Sequence, residues 1–302
     1  MKRLFHALVI AGILGLTAFT QEKEINPELL SLANAERAFA KMSVDKGVPV
    51  AFYESFAEDG VNFQPHPVNI REAYRKNPPP APKPGAPPLP VLNWAPIYGD
   101  IALSGDWGYT TGPFLVEDRS PAKRPSRHGM YSSVWKKQAD GVWKVVLDMG
   151  IQLNAAVAPL DAPFQAAPQW KVIGRNNVSG SQTATLLRAD LEFFRSAKGG
   201  AASQAWQKYL SDDARIHRNF MMPVIGKSDL QMWSAKQTMA ISGDPIKADV
   251  AQSGDWGYTY GKYELKAEKV EKGYYARVWK RDANGDWRIV FDVTGPLPEE
   301  NK

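Results

Sequence analysis

The chain contains no cysteine and only four histidines among its 302 residues. Without thiols the fold has no disulfide bonds, and both thiolate catalysis and cysteine-ligated metal sites are excluded. Because no pair of histidines has a metal-ligand spacing such as His-x-x-x-His, we expect no metal site. The sequence also lacks a Gly-x-Ser-x-Gly nucleophile elbow, a phosphate-binding loop and the Rossmann glycine pattern, so we expect no cofactor.

The charges of the two signs are nearly balanced. There are 37 Lys and Arg residues against 32 Asp and Glu residues, which gives a formal net charge of +5. Two of the basic residues, Lys2 and Arg3, lie at the extreme N-terminus. An excess this small does not indicate binding to the phosphate backbone. We therefore expect no nucleic-acid partner.

The first twenty residues have the pattern of a cleavable export signal. Lys2 and Arg3 precede an apolar stretch at residues 4–19, and small residues follow around Ala18. The stretch is shorter than the roughly 20 residues that a membrane-spanning helix needs. The alternative is an uncleaved N-terminal anchor. We predict that residues 1–20 are a signal peptide, and that the mature protein is periplasmic or secreted from a bacterium without a stable membrane anchor.

An internal repeat with a spacing of about 150 residues is the strongest pattern in the chain. The segment Ser-Gly-Asp-Trp-Gly-Tyr-Thr at 104–110 recurs at 253–259, and the segment at 131–148 recurs at 275–292. We predict two copies of one domain, at residues 24–155 and 181–298, joined by an Ala- and Pro-rich linker at 156–180. A proline-rich loop at 77–90 interrupts only the first copy.

Each copy begins with helical periodicity and ends with strand periodicity. Apolar residues recur at helical spacing in 33–43 and 186–197, and a shorter helical pattern follows each of these segments. Later segments alternate with a period of two, which places Trp143 and Leu147 on one strand face and Asp148 on the other. Turn residues separate these strands, so each copy is predicted to be helices followed by an antiparallel meander.

The repeated motifs are Ser-Gly-Asp-Trp-Gly-Tyr-Thr-x-Gly, then Val-Trp-Lys-Lys/Arg, then Gly-x-Trp-x-Val/Ile. They resemble the nuclear-transport-factor-2-like superfamily, and more narrowly its exported bacterial branch of SnoaL-like and ketosteroid-isomerase-like domains, over most of residues 28–152 and 182–295. The resemblance implies an α+β fold of two cone-shaped domains, each with helices packed on a strongly curved antiparallel sheet of the cystatin-like type. It also implies pairing of the two open sheet faces, so we predict an intrachain pseudo-dimer that is monomeric in solution.

The superfamily includes isomerases, cyclases, dehydratases and non-catalytic modules, so the resemblance does not decide the function. Our first hypothesis is an exported protein that binds a small, partly apolar ligand in one or both cones. The alternatives are an isomerase-, dehydratase- or cyclase-type enzyme that uses a pocket Asp or His, and a non-catalytic assembly module. An inward carboxylate with a raised pKa beside a tyrosine would favour the enzyme. Two cones filled by their own side chains would favour the assembly module.

The candidate pocket residues are polar side chains at strand positions of the two copies. They are Asp148, Asp292, Tyr109, Tyr258, His66 and His217. For the aspartates the alternative is a hydrogen bond at an edge or loop, for the tyrosines a core position, and for the histidines a surface or core-edge position. Tyr131 and Tyr275 are further aromatic residues that could line a pocket.

Overall fold

The computed structural model describes residues 25–79, 89–122, 124–170, 181–235 and 239–298. The predicted signal peptide, most of the proline-rich loop and the end of the predicted linker lie outside these residues. We call residues 25–170 unit 1 and residues 181–298 unit 2. The helices of unit 1 are α1 (Pro27–Lys46), α2 (Val48–Ser55) and α3 (Ile70–Lys76), and those of unit 2 are α4 (Gln182–Ser196), α5 (Ala202–Tyr209) and α6 (Lys227–Ala235).

Each unit forms its own sheet. The strands of unit 1 are β1 (Phe56–Phe63), β2 (Pro67–Asn69), β3 (Val91–Trp94), β4 (Tyr98–Ile101), β5 (Trp107–Glu117), β6 (Arg127–Lys137), β7 (Trp143–Leu153) and β8 (Gln165–Ala166). Those of unit 2 are β9 (Leu210–Arg218), β10 (Met221–Ile225), β11 (Ala240–Val250), β12 (Trp256–Lys266), β13 (Val270–Arg281) and β14 (Trp287–Pro296).

The two sheets have closely related strand orders. The order is β2-β1-β7-β6-β5-β4-β8 in unit 1, with β3 also on β5, and β10-β9-β14-β13-β12-β11 in unit 2. Most pairs are antiparallel, but in each unit the first strand runs parallel to the last long strand, β1 beside β7 and β9 beside β14. Helices lie on both curved sheets, so the predicted α+β fold is confirmed.

Helix α1 shows how the sequence places side chains in the interior of unit 1. The Asn26 side chain accepts a 2.8 Å hydrogen bond from the Glu28 amide, and Pro27 occupies the first turn, where it needs no partner for an amide. Gly47 ends the helix with a φ of 87°, which favours glycine. The helix buries the face that carries Glu36 and Phe39.

A β-bulge at Val146 changes the side-chain alternation of β7. Because the pairing of β7 with β6 shifts there by one residue, Val145 packs under the helices while Leu147 packs on the opposite face of the sheet. The predicted single face containing Trp143 and Leu147 is therefore wrong. The bulge turns Asp148 to the helix-covered side, and the same shift occurs in β14.

The two sheets pack against each other through an aromatic core. The rings of Trp107 and Tyr258 are 5.5 Å apart, and those of Tyr109 and Phe291 are 5.2 Å apart. All four side chains are almost completely buried. Each open sheet face therefore covers the other, which removes both from water.

Ion pairs at the same contact relate the two units by an approximate two-fold axis. Lys280 lies 2.9 Å from Asp100 in a buried pair, and Lys136 lies 4.0 Å from Asp249. The two lysines stand at corresponding positions of the repeat, and so do the two aspartates. Two contacts that are related in this way are typical of a self-complementary dimer interface. The units thus form the intrachain pseudo-dimer.

Candidate functional site

Unit 1 contains a cavity of about 300 Å³ between its helices and its sheet. Six aromatic side chains form much of its wall: Phe39, Phe52, Phe63, Trp94, Phe114 and Tyr131. The polar lining residues are Asn62, Gln64, Arg127, Asp148 and Gln152. Gln64, Arg127 and Gln152 are exposed, whereas Tyr131 is buried. The cavity thus runs from a polar rim to a mostly aromatic inner end.

Asp148 is the acidic residue of the cavity lining, and two neighbouring strands hold it. Ser133 lies opposite it on β6 and donates a 2.8 Å hydrogen bond to Oδ2, while Asn62 lies opposite it on β1 and donates a 2.7 Å bond to Oδ1. Burial raises the pKa of Asp148 to about 6, even though both hydrogen bonds lower it. Among the described residues no Lys or Arg forms an ion pair with this carboxylate.

Glu36 is a second buried acid, and it lies on α1. Its carboxylate accepts hydrogen bonds from Trp94 Nε1 at 2.6 Å, from Trp135 Nε1 at 2.8 Å and from the Thr110 hydroxyl. Burial, with a smaller contribution from the charge of Asp148, raises the pKa of Glu36 to about 7 although its three hydrogen bonds lower it. Unit 1 therefore holds two carboxyl groups that titrate close to neutral pH, and of these Asp148 lines the cavity.

The hydroxyl of Tyr131 is buried and has no hydrogen-bond partner among the described residues. In the β6–β7 pairing Tyr131 faces Gly150, and Ser133 faces Asp148. Tyr131 and Asp148 are thus diagonal neighbours on one sheet face. The Tyr131 side chain lines the cavity, but its hydroxyl oxygen is enclosed by protein; burial and the charge of Glu36 raise the pKa of Tyr131, and the nearby Thr110 hydroxyl lowers it.

The corresponding interior of unit 2 is occupied by Arg277, which stands at the repeat position of Ser133. The guanidinium is completely buried. Its Nε donates to Asp292 at 2.7 Å, and its Nη1 donates to Asp190 at 2.6 Å. Arg218 forms a further ion pair with Asp292, and these cations hold the pKa of Asp292 below its usual value despite burial.

Asp148 is the sequence-predicted candidate that lines the cavity of unit 1. Tyr109 and Tyr258 lie instead in the core between the sheets. Asp292 belongs to the buried ion-pair network of unit 2. The structure therefore does not bring these four candidates together.

The two candidate histidines also lie away from this cavity lining. His217 is completely buried, its ring centroid is 4.8 Å from that of Phe291, and burial lowers its pKa to about 3. His66 follows β1, and its Nδ1 is 3.1 Å from the hydroxyl of Tyr274 in unit 2. His66 thus contributes to the contact between the units, whereas His217 packs inside unit 2.

Glu36, Asn62 and Ser133 were not among the predicted site residues. One signal was present for Glu36, because the repeat aligns it with Asp190 and so places an acid on the apolar face of the first helix in both copies. Nothing in the sequence distinguishes Asn62 or Ser133 from other strand residues. Their roles arise from the pairing of β1, β6 and β7.

Two further observations bear on the range of possible functions. Within the described ranges, no three His, Asp or Glu side chains are grouped so that they could hold a metal ion. None of the helices that the structure describes is long and apolar enough to cross a membrane.

No family model and no curated protein matches the chain. Solved structures that it resembles include a ketosteroid isomerase-like protein from Erwinia carotovora atroseptica, at 13% identity and a TM-score of 0.35 over 39% of this chain and 98% of that one. A nuclear transport factor 2 superfamily protein from Salmonella enterica matches at 12% identity and a TM-score of 0.33, over 40% and 94%. A protein with a cystatin-like fold from Nostoc punctiforme matches at 11% identity and a TM-score of 0.32, over 38% and 91%.

Proposed function

We propose that unit 1 binds a small, largely apolar molecule in its cavity and that Asp148 holds one polar group of that molecule. The observation that carries this proposal is the Asp148 carboxylate, which has no cationic partner among the described residues, in the lining of an aromatic-walled cavity. Small-molecule sites typically combine apolar walls with a few converging polar groups. A volume of about 300 Å³ suits a ligand of one or two rings.

We also propose that the chain is an exported tandem pair of nuclear-transport-factor-2-like domains, monomeric and without a nucleic-acid partner. The repeated motifs and the matching strand orders support the tandem arrangement. In this arrangement unit 2 has a structural role, because Arg277 fills its interior while its sheet covers that of unit 1.

A second candidate function is proton transfer to or from the bound molecule. The observation that favours it is the pKa of about 6 of Asp148, which suits a general base near neutral pH. Under this hypothesis the bound molecule would be converted to an isomer or a dehydrated product.

Native mass spectrometry of the full chain, purified from an exporting bacterial host, tests the binding proposal. We expect a persistent small-molecule adduct on a monomer. We also expect the neutral apolar dye N-phenyl-1-naphthylamine to become fluorescent with the protein when the cavity is free.

The variant Gly150→Leu tests whether this cavity is the site. Gly150 lines the cavity, and a Cβ at this position meets no atom closer than 3.6 Å, so the side chain can enter the cavity without a backbone clash. We expect the variant to lose the adduct and the dye signal, whereas Ala155→Leu, at an exposed position, retains both. Undiminished binding by a folded Gly150→Leu protein would contradict the proposal.

A further inference from the structure

The two units differ in charge at one pair of corresponding positions in their interiors. Ser133 of β6 lies opposite Asp148, and Arg277 of β13 lies opposite Asp292. Both acids are held on the helix-covered side of their sheet. Unit 2 therefore carries its own cation beside the acid, whereas unit 1 has a hydroxyl in the same place.

Unit 2 shows in detail how this interior holds a guanidinium. The Arg277 group lies between the carboxylates of Asp190 and Asp292, at 2.6 and 2.7 Å. It also lies 3.9 Å from the ring centroid of Phe193 and 4.6 Å from that of Tyr275. Two carboxylates and aromatic faces form a cation site that combines charge with cation–π attraction.

Unit 1 retains the same surroundings without the cation. Glu36 corresponds to Asp190, Asp148 to Asp292, Phe39 to Phe193 and Tyr131 to Tyr275. Phe39, Tyr131 and Asp148 all line the cavity. Ala40 stands where unit 2 has the larger Phe194, and Trp94 stands where unit 2 has Gly243.

We infer that the molecule bound in unit 1 carries a cationic nitrogen group, an amidinium, guanidinium or ammonium, and that this group lies beside Asp148 in the place that Arg277 occupies in unit 2. This inference rests on the proposed function, because it specifies the polar group of the same ligand. The half-buried Asp148 and the buried Glu36 have no cationic partner among the described residues, and the ligand's cation supplies the charge complement that their counterparts already have.

The positive charge at the rim of the cavity indicates how this ligand is oriented. Arg127 is exposed at the rim and would repel a second cationic group there. The cationic end therefore points inward to Asp148, the apolar body lies along Phe39 and Phe114, and the outer end is neutral or anionic.

A matched pair of probes tests the inference on the full-length protein. Benzamidine is a flat aromatic cation, and benzamide is its neutral isostere. Each is titrated against N-phenyl-1-naphthylamine bound to the protein. We expect benzamidine to displace the dye at concentrations at least tenfold lower than benzamide does.

Two variants test whether the side chains at positions 148 and 133 cause the preference for benzamidine over benzamide. Asp148→Asn is expected to lose the preference, so that benzamidine and benzamide displace the dye at similar concentrations. Ser133→Arg introduces the guanidinium of unit 2 and is expected to abolish benzamidine binding in a folded protein. Asp161→Asn, which removes an exposed carboxylate outside the cavity lining, should behave as the native protein.

The outcomes separate this inference from the proposed function. If the dye binds and is lost in Gly150→Leu, but benzamidine displaces it no better than benzamide, the cation inference is overturned while the binding function stands. A preference that persists in both Asp148→Asn and Ser133→Arg also overturns it. If neither dye nor probe binds the native protein, the binding function fails as well.

Discussion

Asp148 and Glu36 show how the same repeat position acquires different chemistry in the two units. Their counterparts in unit 2 both pair with Arg277; cations hold the pKa of Asp292 below its usual value, while burial still raises that of Asp190. In unit 1 burial without a cationic partner raises the pKa of both carboxyl groups. The residues that make unit 1 a candidate binding site are thus a source of instability in the empty protein.

The free energy of unfolding should depend on pH because of these raised pKa values. Because the folded state holds the Asp148 and Glu36 protons more tightly than the unfolded state, stability is lost as pH rises from about 4 to about 7. Each carboxyl costs on the order of 3 kcal/mol above this range. We expect Asp148→Asn to gain stability relative to the native protein as pH rises from 4 to 7, measured by urea denaturation at each pH.

The comparison between variant and native protein cancels the titration of all other groups. Asp161→Asn, an exposed change, is expected to differ from the native protein by a constant amount over this range. A constant difference for Asp148→Asn as well would show that its carboxyl has an ordinary pKa.

At the scale of secondary-structure elements, the first helix and its neighbouring strand have exchanged large and small residues between the units. Unit 1 pairs Ala40 of α1 with Trp94 of β3, whereas unit 2 has Phe194 of α4 and Gly243 of β11 at the corresponding places. A Cβ at Gly243 would lie only 2.2 Å from the ring of Phe194. The two interiors are therefore filled by different elements.

This exchange predicts that the stability of the protein depends strongly on the size of residue 243. We expect Gly243→Ala to lower the free energy of unfolding by about 1–3 kcal/mol, because the buried Phe194 ring must move. Adding Phe194→Leu should recover part of the loss, with a coupling energy of about 0.5–3 kcal/mol. Thermal and urea unfolding of the two single variants and the double variant measure this coupling.

Gly150→Ala provides the matched control for a glycine in a strand, because its added Cβ meets only ordinary contacts at 3.6 Å. Its unfolding free energy should change little. Equal losses for the two glycine variants would indicate a general backbone effect and would contradict the steric explanation.

At the scale of the whole molecule, the two sheets of one chain pack against each other in the way that two subunits pack at a dimer interface. The aromatic core and the reciprocal Lys280–Asp100 and Lys136–Asp249 pairs occupy both sheet faces. No comparable sheet face remains uncovered in the described residues of either unit. The pairing also packs Tyr260 of unit 2 against Phe63, a residue of the cavity lining, with ring centroids 5.6 Å apart.

We expect the mature protein to be a compact monomer in solution. Light scattering after size-exclusion chromatography should give the mass of one chain, and small-angle X-ray scattering should give the profile of one compact particle. A stable dimer, or the extended profile of two separate beads, would contradict the packing of the sheets.

The repeat, the order of helices and strands and the aromatic character of the interior could all be predicted from the sequence. These features depend on local periodicity and on matches between the two halves. The absence of cysteine also excluded thiolate chemistry directly, because no other residue supplies a thiolate. At this level the sequence alone was sufficient.

Only the tertiary structure decided which side chains share the cavity. Because strand side chains alternate with a period of two, the single extra residue at Val146 reverses every later position, and that placed Asp148 inside with Tyr131. The same alternation placed Tyr109 in the core between the sheets. The difference between an open and a filled interior depends on the contact of Arg277 with two acids far from it in the chain, which local sequence cannot specify.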